Sequence, residues 1–591
     1  MKGTGMPDPT RQRRVGLLLT VGLGALLAAL AGYLVAIHLR SAEALSSRAA
    51  RMHHMRYPIP ATRGRILDAR GRVLAGSQAR ESVFADPAIV ADPAEAARRV
   101  AEVLGLDRDD VYRLLADHPD RRFVWIQRRV PPATAEAVRE LDLRGIALVT
   151  EGKRHYPNGS LAAHVLGFVG VDEQGLEGLE RVFDERLSGT PGEAYVLADL
   201  RRRPIWMRPG DFTPAEDGQH LVLTLDAVVQ AAAEDALADA CEHFKAVSGS
   251  VVVMDPKTGG ILAMANVPTF HPARYADAPA DARRNRAVTD TFPPGSSGKP
   301  FVAARALETG LVRFGEVIYC EDGYWPEARL HDAHGYGNLT FEQGIIKSSN
   351  ILLGKVGLRM GNRRLHAALV AFGFGSPTGV WLPGEAPGLV FPLEKWTRLS
   401  TTRVPFGQEY AVTPLQMAVA FSAFAGGGRV LRPRILRGVL DSRGRLVARL
   451  TEPRVLGRAL RPETARRMID RPLVGVVEEG TGRRAQVPGY RVFGKTGTAQ
   501  KVDPETGAIS HSRYVAWFLA GAPAEEPRLV VAVAVNEPDR SIGYYGGTVA
   551  APVARKILAR ALPYLGVEPS EEVPAEAALG RTLLVDQPLT P

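Results

Sequence analysis

The sequence predicts a multidomain α+β protein with an N-terminal transmembrane helix, a small α+β pedestal and a long unit of mixed strands and helices. Three observations predict it. At 591 residues the chain exceeds what one compact core organises. Positions 15–37 form 23 consecutive uncharged, mostly apolar residues. Beyond residue 60 short helical and strand patterns are mixed, and periodicity lapses at 204–219, where Pro, Gly, Asp and Glu take over. The expected divisions are 1–40 for a tail and membrane anchor, 41–216 for the pedestal, 217–565 for the main unit, and 566–591 for a loose tail rich in Glu and Pro.

As a helix at about 1.5 Å per residue, the run 15–37 spans roughly 34 Å, enough to cross a bilayer. Lys2, Arg11, Arg13 and Arg14 precede it against a single Asp8. The positive-inside rule then leaves the N-terminus in the cytoplasm and sends the rest outward. Ala42-Glu43-Ala44 loosely resembles a signal-peptide cleavage pattern. The run is longer than the roughly 7–15 residues of a secretory core, which favours a retained anchor. Next, 42–57 reads as a polar helix or stalk. Residues 62–75 place an apolar pair on each side of Asp68-Ala69-Arg70-Gly71, a hairpin pattern. Helical spacing covers 93–106, 111–116 and 131–143, with proline near the first turn of two of them. Past the break come a strand at 221–225, a helix at 226–244, strands at 250–254 and 261–265 joined by a turn, and strands at 514–520 and 529–535. There is no internal repeat of the solenoid or propeller kind.

Apolar residues make up 45% of the chain, the proportion of a folded protein. The net charge of +10 is spread as pairs such as Arg98-Arg99 and Arg121-Arg122, with Arg201-Arg202-Arg203 the longest run. That distribution fits an anionic membrane or wall better than nucleic acid, which is not an expected partner. Two cysteines, Cys241 and Cys320, exclude a disulfide framework and leave one bridge open. The thirteen histidines show no metal-ligand spacing, so neither a metal nor a cofactor is expected.

Chemistry concentrates in three segments. Pro293-Pro294-Gly295-Ser296-Ser297-Gly298-Lys299 offers a hydroxyl that needs a base within reach, and residues three apart on a helix share a face. A serine at a helix start also meets unpaired backbone N–H groups able to receive an oxyanion. Lysine acts as a base only where burial or a neighbouring cation lowers its pKa. Lys347-Ser348-Ser349-Asn350 supplies a second hydroxyl and an amide, although Ser and Asn here equally suit a helix N-cap. Phe493-Gly494-Lys495-Thr496-Gly497-Thr498 supplies a cation, two hydroxyls and a glycine that admits a close backbone. A second Lys-Thr-Gly, Lys257-Thr258-Gly259, lies between two strands after Asp255-Pro256, where turn chemistry accounts for it.

Ser-x-x-Lys, Ser-x-Asn and Lys-Thr-Gly in this order are the named signature of penicillin-binding proteins and class A β-lactamases. Over nearly its whole length the chain resembles the class B penicillin-binding proteins. The hairpin at 62–75 looks like their N-terminal signature. Arg154-His155-Tyr156-Pro157, Ala162-Ala163-His164-Val165-Leu166-Gly167, Gly175-Leu176-Glu177-Gly178-Leu179-Glu180 and Thr413-Pro414-Leu415-Gln416 add to the likeness. The resemblance implies a transpeptidase domain whose antiparallel sheet is packed between helical clusters, with the nucleophile at a helix start and Lys-Thr-Gly on an edge strand. It implies that Ser296 attacks the carbonyl between two terminal D-alanines of a peptidoglycan stem peptide while Lys299 takes its proton. Ser348 and Lys495 would return a proton to the departing D-alanine, and Asn350 would hold the substrate amide. Backbone N–H groups of Ser296 and Thr498 would form the oxyanion hole, and Thr496, Gly497 and Thr498 would line the substrate site. An amine of a neighbouring stem peptide would accept the acyl group, and β-lactams would acylate the same serine.

Relatives often carry a bulkier residue where this chain has Gly298, and a helical glycine costs about 1 kcal/mol, so a looser first turn is expected. A β-lactamase needs neither the anchor nor the long segment before the main unit. The segment before 204 is short and lacks the paired acidic motif of a built-in glycosyltransferase. A D,D-carboxypeptidase uses the same residues and stays open, as does a non-catalytic scaffold of a wall-synthesis complex. Ser348-Ser349-Asn350 and Tyr544-Tyr545-Gly546-Gly547-Thr548 resemble the septal, cell-division type more than the elongation type. The resemblance further suggests as partners a polytopic peptidoglycan glycosyltransferase and other division proteins, with the protein in the cytoplasmic membrane and its catalytic domain outside.

Overall fold

Uncharged, Leu- and Ala-rich sequence favours helix, and the computed structural model has one helix, α1, over Pro9–His53. Within it Arg13–Ile37, with a mean hydropathy of 2.2, is long and apolar enough to cross a membrane. The structure describes residues 9–198, 204–503 and 508–570. Lys2 and Asp8, and the expected loose tail from 571 onward, lie outside these residues. The described chain forms two units, each discontinuous in sequence. One is drawn from Met1–Ala61, Arg80–Glu151 and Thr190–Glu216, the other from Thr62–Ala79, Gly152–Gly189 and Asp217–Pro591.

In the first unit the expected stalk passes into a strand, His54–Ile59, which pairs with Gly192–Ala198. That strand pairs in turn with Pro204–Thr213, so most of the stretch expected as a break is strand. Pairing to a neighbour satisfies its backbone whatever its composition suggests. The second half of β1 (Val73–Ala85) carries a small apolar core with α2 (Pro93–Leu104), α3 (Arg108–Ala116), β2 (Val124–Val130) and α4 (Pro132–Glu140). Asp92 and Asp107 cap α2 and α3 through backbone N–H groups of their first turns, which is why α3 begins three residues before its apolar spacing does.

In the second unit the expected hairpin forms between Ile66–Leu67 and the first half of β1, with Ile66 opposite Ala75. Beside it the Glu180 carboxylate, fully buried, accepts from Arg63 Nε at 2.9 Å and from Arg154 Nε at 2.7 Å. A charge so far from water is tolerated because two guanidinium groups hold it. Asp226 then caps α5 (Ala227–His243), which leads into β3 (Ser248–Met254) and β4 (Ile261–Val267). The turn between those strands holds Lys257-Thr258-Gly259 as structure: Asp255 accepts from Lys257 N at 2.8 Å and from the Thr258 hydroxyl at 2.8 Å, and Gly259 has φ +73°.

Helices α6 (Lys299–Glu308), α7 (Asn350–Ala371, interrupted at Gly361) and α8 (Pro414–Ala425) follow. Thr413 and Gln416 form a capping box on α8. The chain then adds β5 (Phe493–Val502), β6 (Ile509–Ala522), β7 (Leu529–Asn536) and α9 (Ala551–Tyr564). The sheet is antiparallel throughout, ordered β4-β3-β7-β6-β5, with β5 at the edge. Alternate residues divide between two cores. Val251, Val253, Phe518, Val531 and Val533 face α5 and α9, whereas Val252, Met254, Trp517, Leu519 and Ala532 join the core of α6 and α8. The transpeptidase-type layering of a sheet between helical clusters is therefore present.

Candidate active site

Ser296 lies in a 3-10 turn, Gly295–Gly298, that runs directly into α6. Pro293 and Pro294 lack N–H groups and hold the approach extended or turned, and Gly295 adopts φ +54°, which favours glycine. The Lys299 N–H donates to the Ser296 carbonyl, so the two residues stack one 3-10 turn apart. Gly295, Ser297 and Gly298 are buried, and Ser296 is the partly accessible member of the turn.

The turn is gripped by the sheet. Trp517 Nε1 on β6 donates to the Pro293 carbonyl at 3.1 Å. On β5 a Cβ at Gly497 would come within 2.9 Å of both the Pro294 oxygen and the Ser297 nitrogen, so glycine there is a steric requirement of the close approach.

Ser348 stands in the bend ahead of α7 with φ +64°, a conformation that β-carbons disfavour. Its neighbour Ser349 is the N-cap of α7, accepting from Leu352 N at 3.0 Å. The cap therefore falls on Ser349, which leaves the Ser348 hydroxyl and the Asn350 amide free of that role. Lys299 Nζ donates to the Ser348 carbonyl, to Ser348 Oγ at 3.1 Å and to Asn350 Oδ1 at 2.8 Å. Lys495 Nζ donates to the same Ser348 Oγ at 2.9 Å and to its neighbour's carbonyl, Thr496 O, at 2.9 Å. Asn350 Nδ2 donates to His331 O at 2.8 Å, which fixes the orientation of its amide.

Both ammonium groups are fully buried. Burial lowers the Lys299 pKa to about 7, opposed by the Asp332 carboxylate, and drives that of Lys495 well below its ordinary value, with Lys299 adding to the fall. Since both nitrogens contact one oxygen they lie within about 6 Å of each other. Their mutual repulsion adds to the desolvation and disfavours the state in which both carry a proton. A neutral lysine beside a second hydroxyl is an arrangement that can take and return a proton.

Thr496 and Thr498 occupy β5, the edge strand. The Thr496 hydroxyl is hydrogen-bonded to that of Thr481 at 2.5 Å, and the Thr498 hydroxyl accepts from Gly546 N at 3.0 Å. Of the residues expected to act, Lys299, Ser348, Asn350 and Lys495 thus form one hydrogen-bonded group, Ser296 joins it through the turn, and Thr496, Gly497 and Thr498 line the adjoining strand. Sequence reasoning missed Asp332. Its carboxylate accepts from Ser349 Oγ at 2.6 Å, from Asn350 N and from Ile351 N at 3.1 Å, at the N-terminus of α7. No local motif around Asp332 signals this. The two cysteines are free and buried, so the open bridge does not form.

The fold and this group of lysines and serines define a serine-nucleophile acyl-transfer enzyme on a transpeptidase scaffold. Residues 249–559 match the penicillin binding protein transpeptidase domain, and residues 58–223 the penicillin-binding protein dimerisation domain. The chain is 35% identical over 533 residues to stage V sporulation protein D of Bacillus subtilis, covering 89% of this chain and 82% of that protein. It is 34% identical over 521 residues to the peptidoglycan D,D-transpeptidase FtsI of Escherichia coli K12, covering 86% and 85%. Among solved structures, penicillin-binding protein 3 of Mycobacterium tuberculosis complexed with aztreonam superposes with a TM-score of 0.68 at 29% identity, over 88% of this chain and 99% of that one. The chain belongs to the class B penicillin-binding proteins. Among the described residues one helix is long and apolar enough to cross a membrane, which together with the FtsI likeness fits a single-pass membrane protein.

Proposed function

We propose that this protein is a peptidoglycan D,D-transpeptidase acting through an acyl-enzyme on Ser296 during septal wall synthesis. The observation that carries the reading is the convergence of two buried lysines on Ser348 Oγ, one of them closing the turn that holds Ser296. Neutral Lys299 takes the Ser296 proton as Oγ bonds to the carbonyl carbon of the penultimate D-alanine. The oxyanion is received by the N–H groups of Ser296 and Thr498, on facing sides of the contact between the turn and β5. Collapse breaks the peptide bond, and Ser348 with Lys495 passes a proton to the leaving D-alanine nitrogen. The amine of a second stem peptide then attacks the ester and frees Ser296, completing the cross-link. Asn350 orients the donor peptide amide, and Thr496, Gly497 and Thr498 line the strand along which the donor lies. β-Lactams enter the same first step, and their strained amide opens without a departing fragment.

The septal assignment rests on the likeness to FtsI and on the Tyr544-Tyr545-Gly546-Gly547 run. The basic residues ahead of the apolar run 15–37 support a cytoplasmic N-terminus with the catalytic unit outside, beside a polytopic glycosyltransferase and other division proteins as partners. A fluorescent penicillin tests the chemistry: covalent label is expected on the native chain and none on Ser296→Ala, and label surviving that substitution refutes the assignment. Incubation with donor and acceptor stem peptides is expected to yield a cross-linked dimer; trimmed monomer alone would make the protein a carboxypeptidase. Depletion is expected to give filaments, and rounded cells would overturn the septal role.

A further inference from the structure

Gly298 was expected to loosen the first turn beside the nucleophile, yet the space it leaves is filled. A Cβ at 298 would stand 2.2 Å from the Tyr410 hydroxyl oxygen, 3.3 Å from Pro294 Cγ and 3.4 Å from Gly407 Cα. The tip of the phenol therefore occupies the volume that a side chain at 298 would need. Tyr410 arrives on a strap, residues 404–412, that is tied to the nucleophile segment at both ends. Gly295 N donates to Gly407 O at 3.0 Å, and Phe292 and Val412 exchange backbone hydrogen bonds of 3.0 and 2.9 Å. Between these ties Gly407, at φ +86°, lies so close that a Cβ there would meet the Gly295 oxygen at 1.9 Å. Tyr410 is 3% exposed, packs its ring 5.9 Å from that of Phe374, and pairs with Val390.

Its hydroxyl has no hydrogen-bond partner among the described residues. Burying a hydroxyl unpaired costs stability, and phenylalanine would fill nearly the same space without that cost. The atom that distinguishes tyrosine from phenylalanine here is the one pressed against Gly298.

We propose that Tyr410 is a positioning residue for the acylation step, and that Gly298 and Tyr410 are a matched pair in which the phenol tip holds the turn carrying Ser296 and Lys299. Tyr410 touches neither substrate nor reacting atoms; it acts through Gly298. This rests on Ser296 being the nucleophile, so the test begins with a parent chain shown to take label there. Failure of the parent to label sinks the proposed function, whereas the variants below judge the pair alone.

Full-length protein in detergent is labelled with fluorescent penicillin at several concentrations, separating the binding constant K from the acylation rate constant k2, and Tm is measured on unlabelled protein. Tyr410→Phe is expected to lower k2 by about fivefold with K unchanged and Tm equal or higher, because orientation is lost while an unpaired buried hydroxyl is removed. Gly298→Ala is expected to lower k2 by about tenfold or more, and Gly298→Ala/Tyr410→Phe to recover most of that loss, since the clashing oxygen is gone. Unchanged k2 in Tyr410→Phe, or k2 and Tm falling together, overturns the proposal. So does a double variant no faster than Gly298→Ala. Should Gly298→Ala not fold, the Tyr410→Phe measurement still decides.

Discussion

Lys299 sits where two opposed influences meet, burial that expels its proton and the Asp332 carboxylate that retains it. Acylation needs the neutral amine, so k2/K for a fluorescent penicillin is expected to rise with pH through about 7, in step with loss of the Lys299 proton. Asp332→Asn removes the influence that raises this pKa, so the rise is expected to move to lower pH. The same change weakens the hydrogen bonds to Ser349, Asn350 and Ile351, and k2 at its plateau is expected to fall by roughly tenfold. A pH profile of Asp332→Asn that overlays the parent's would show that the carboxylate does not act on Lys299.

Among elements, β5 depends on its glycine. Gly497→Ala places a methyl against the Pro294 carbonyl and the Ser297 nitrogen, both backbone atoms of the nucleophile turn that cannot swing aside. Acylation is expected to slow by about tenfold or more, while the sheet, whose pairing does not involve that face, keeps the chain folded. Stopped-flow labelling and circular dichroism separate the two. Helix α5 carries a different sensitivity. Burial pushes the Glu234 carboxyl up to about 7, where it accepts from Ala162 N and Gln230 Nε2, each at 2.7 Å. Its pKa in the unfolded chain is about 4.3, so the folded state holds the proton more tightly, and this contribution to stability is lost as pH rises through about 7. Tm is expected to carry a falling contribution between about pH 4.3 and 7.5, and Glu234→Gln, which keeps an acceptor for Ala162, to remove it. An identical slope in both proteins would remove Glu234 as its source.

For the molecule as a whole, residues far apart in sequence are held by Glu180, whose carboxylate binds Arg63 and Arg154. Glu180→Ala takes its carboxylate from the buried Arg154 and leaves Arg63 with Asp184 alone, and is expected to cost about 3–5 kcal/mol, read as a lowered unfolding midpoint in urea. A midpoint within error of the parent's would mean the cluster relaxes into solvent. The sequence patterns around Arg63, Arg154 and Glu180 were visible beforehand only as family likenesses, because nothing in a linear pattern says which charges meet.

Helices α2, α3, α4 and α5, the hairpin at 62–75 and the strands β3, β4, β6 and β7 could be read from the chain, since periodicity, turns and alternation are local physics, whereas α8 and β5 could not. Ser296, Lys299, Ser348, Asn350 and Lys495 were singled out through the family signature, and the structure gathers the last four into one hydrogen-bonded group. The strand Pro204–Thr213 could not be read from the chain, because its stability comes from a partner strand rather than its own composition. Nor could Asp332, the lowered lysine pKa values, or the phenol of Tyr410 lodged over Gly298. Burial and through-space distance arise only when separate segments are packed together, 18 residues apart for Asp332 and Asn350 and 147 for Ser348 and Lys495, and they decide how strongly each of those groups holds its proton and its place.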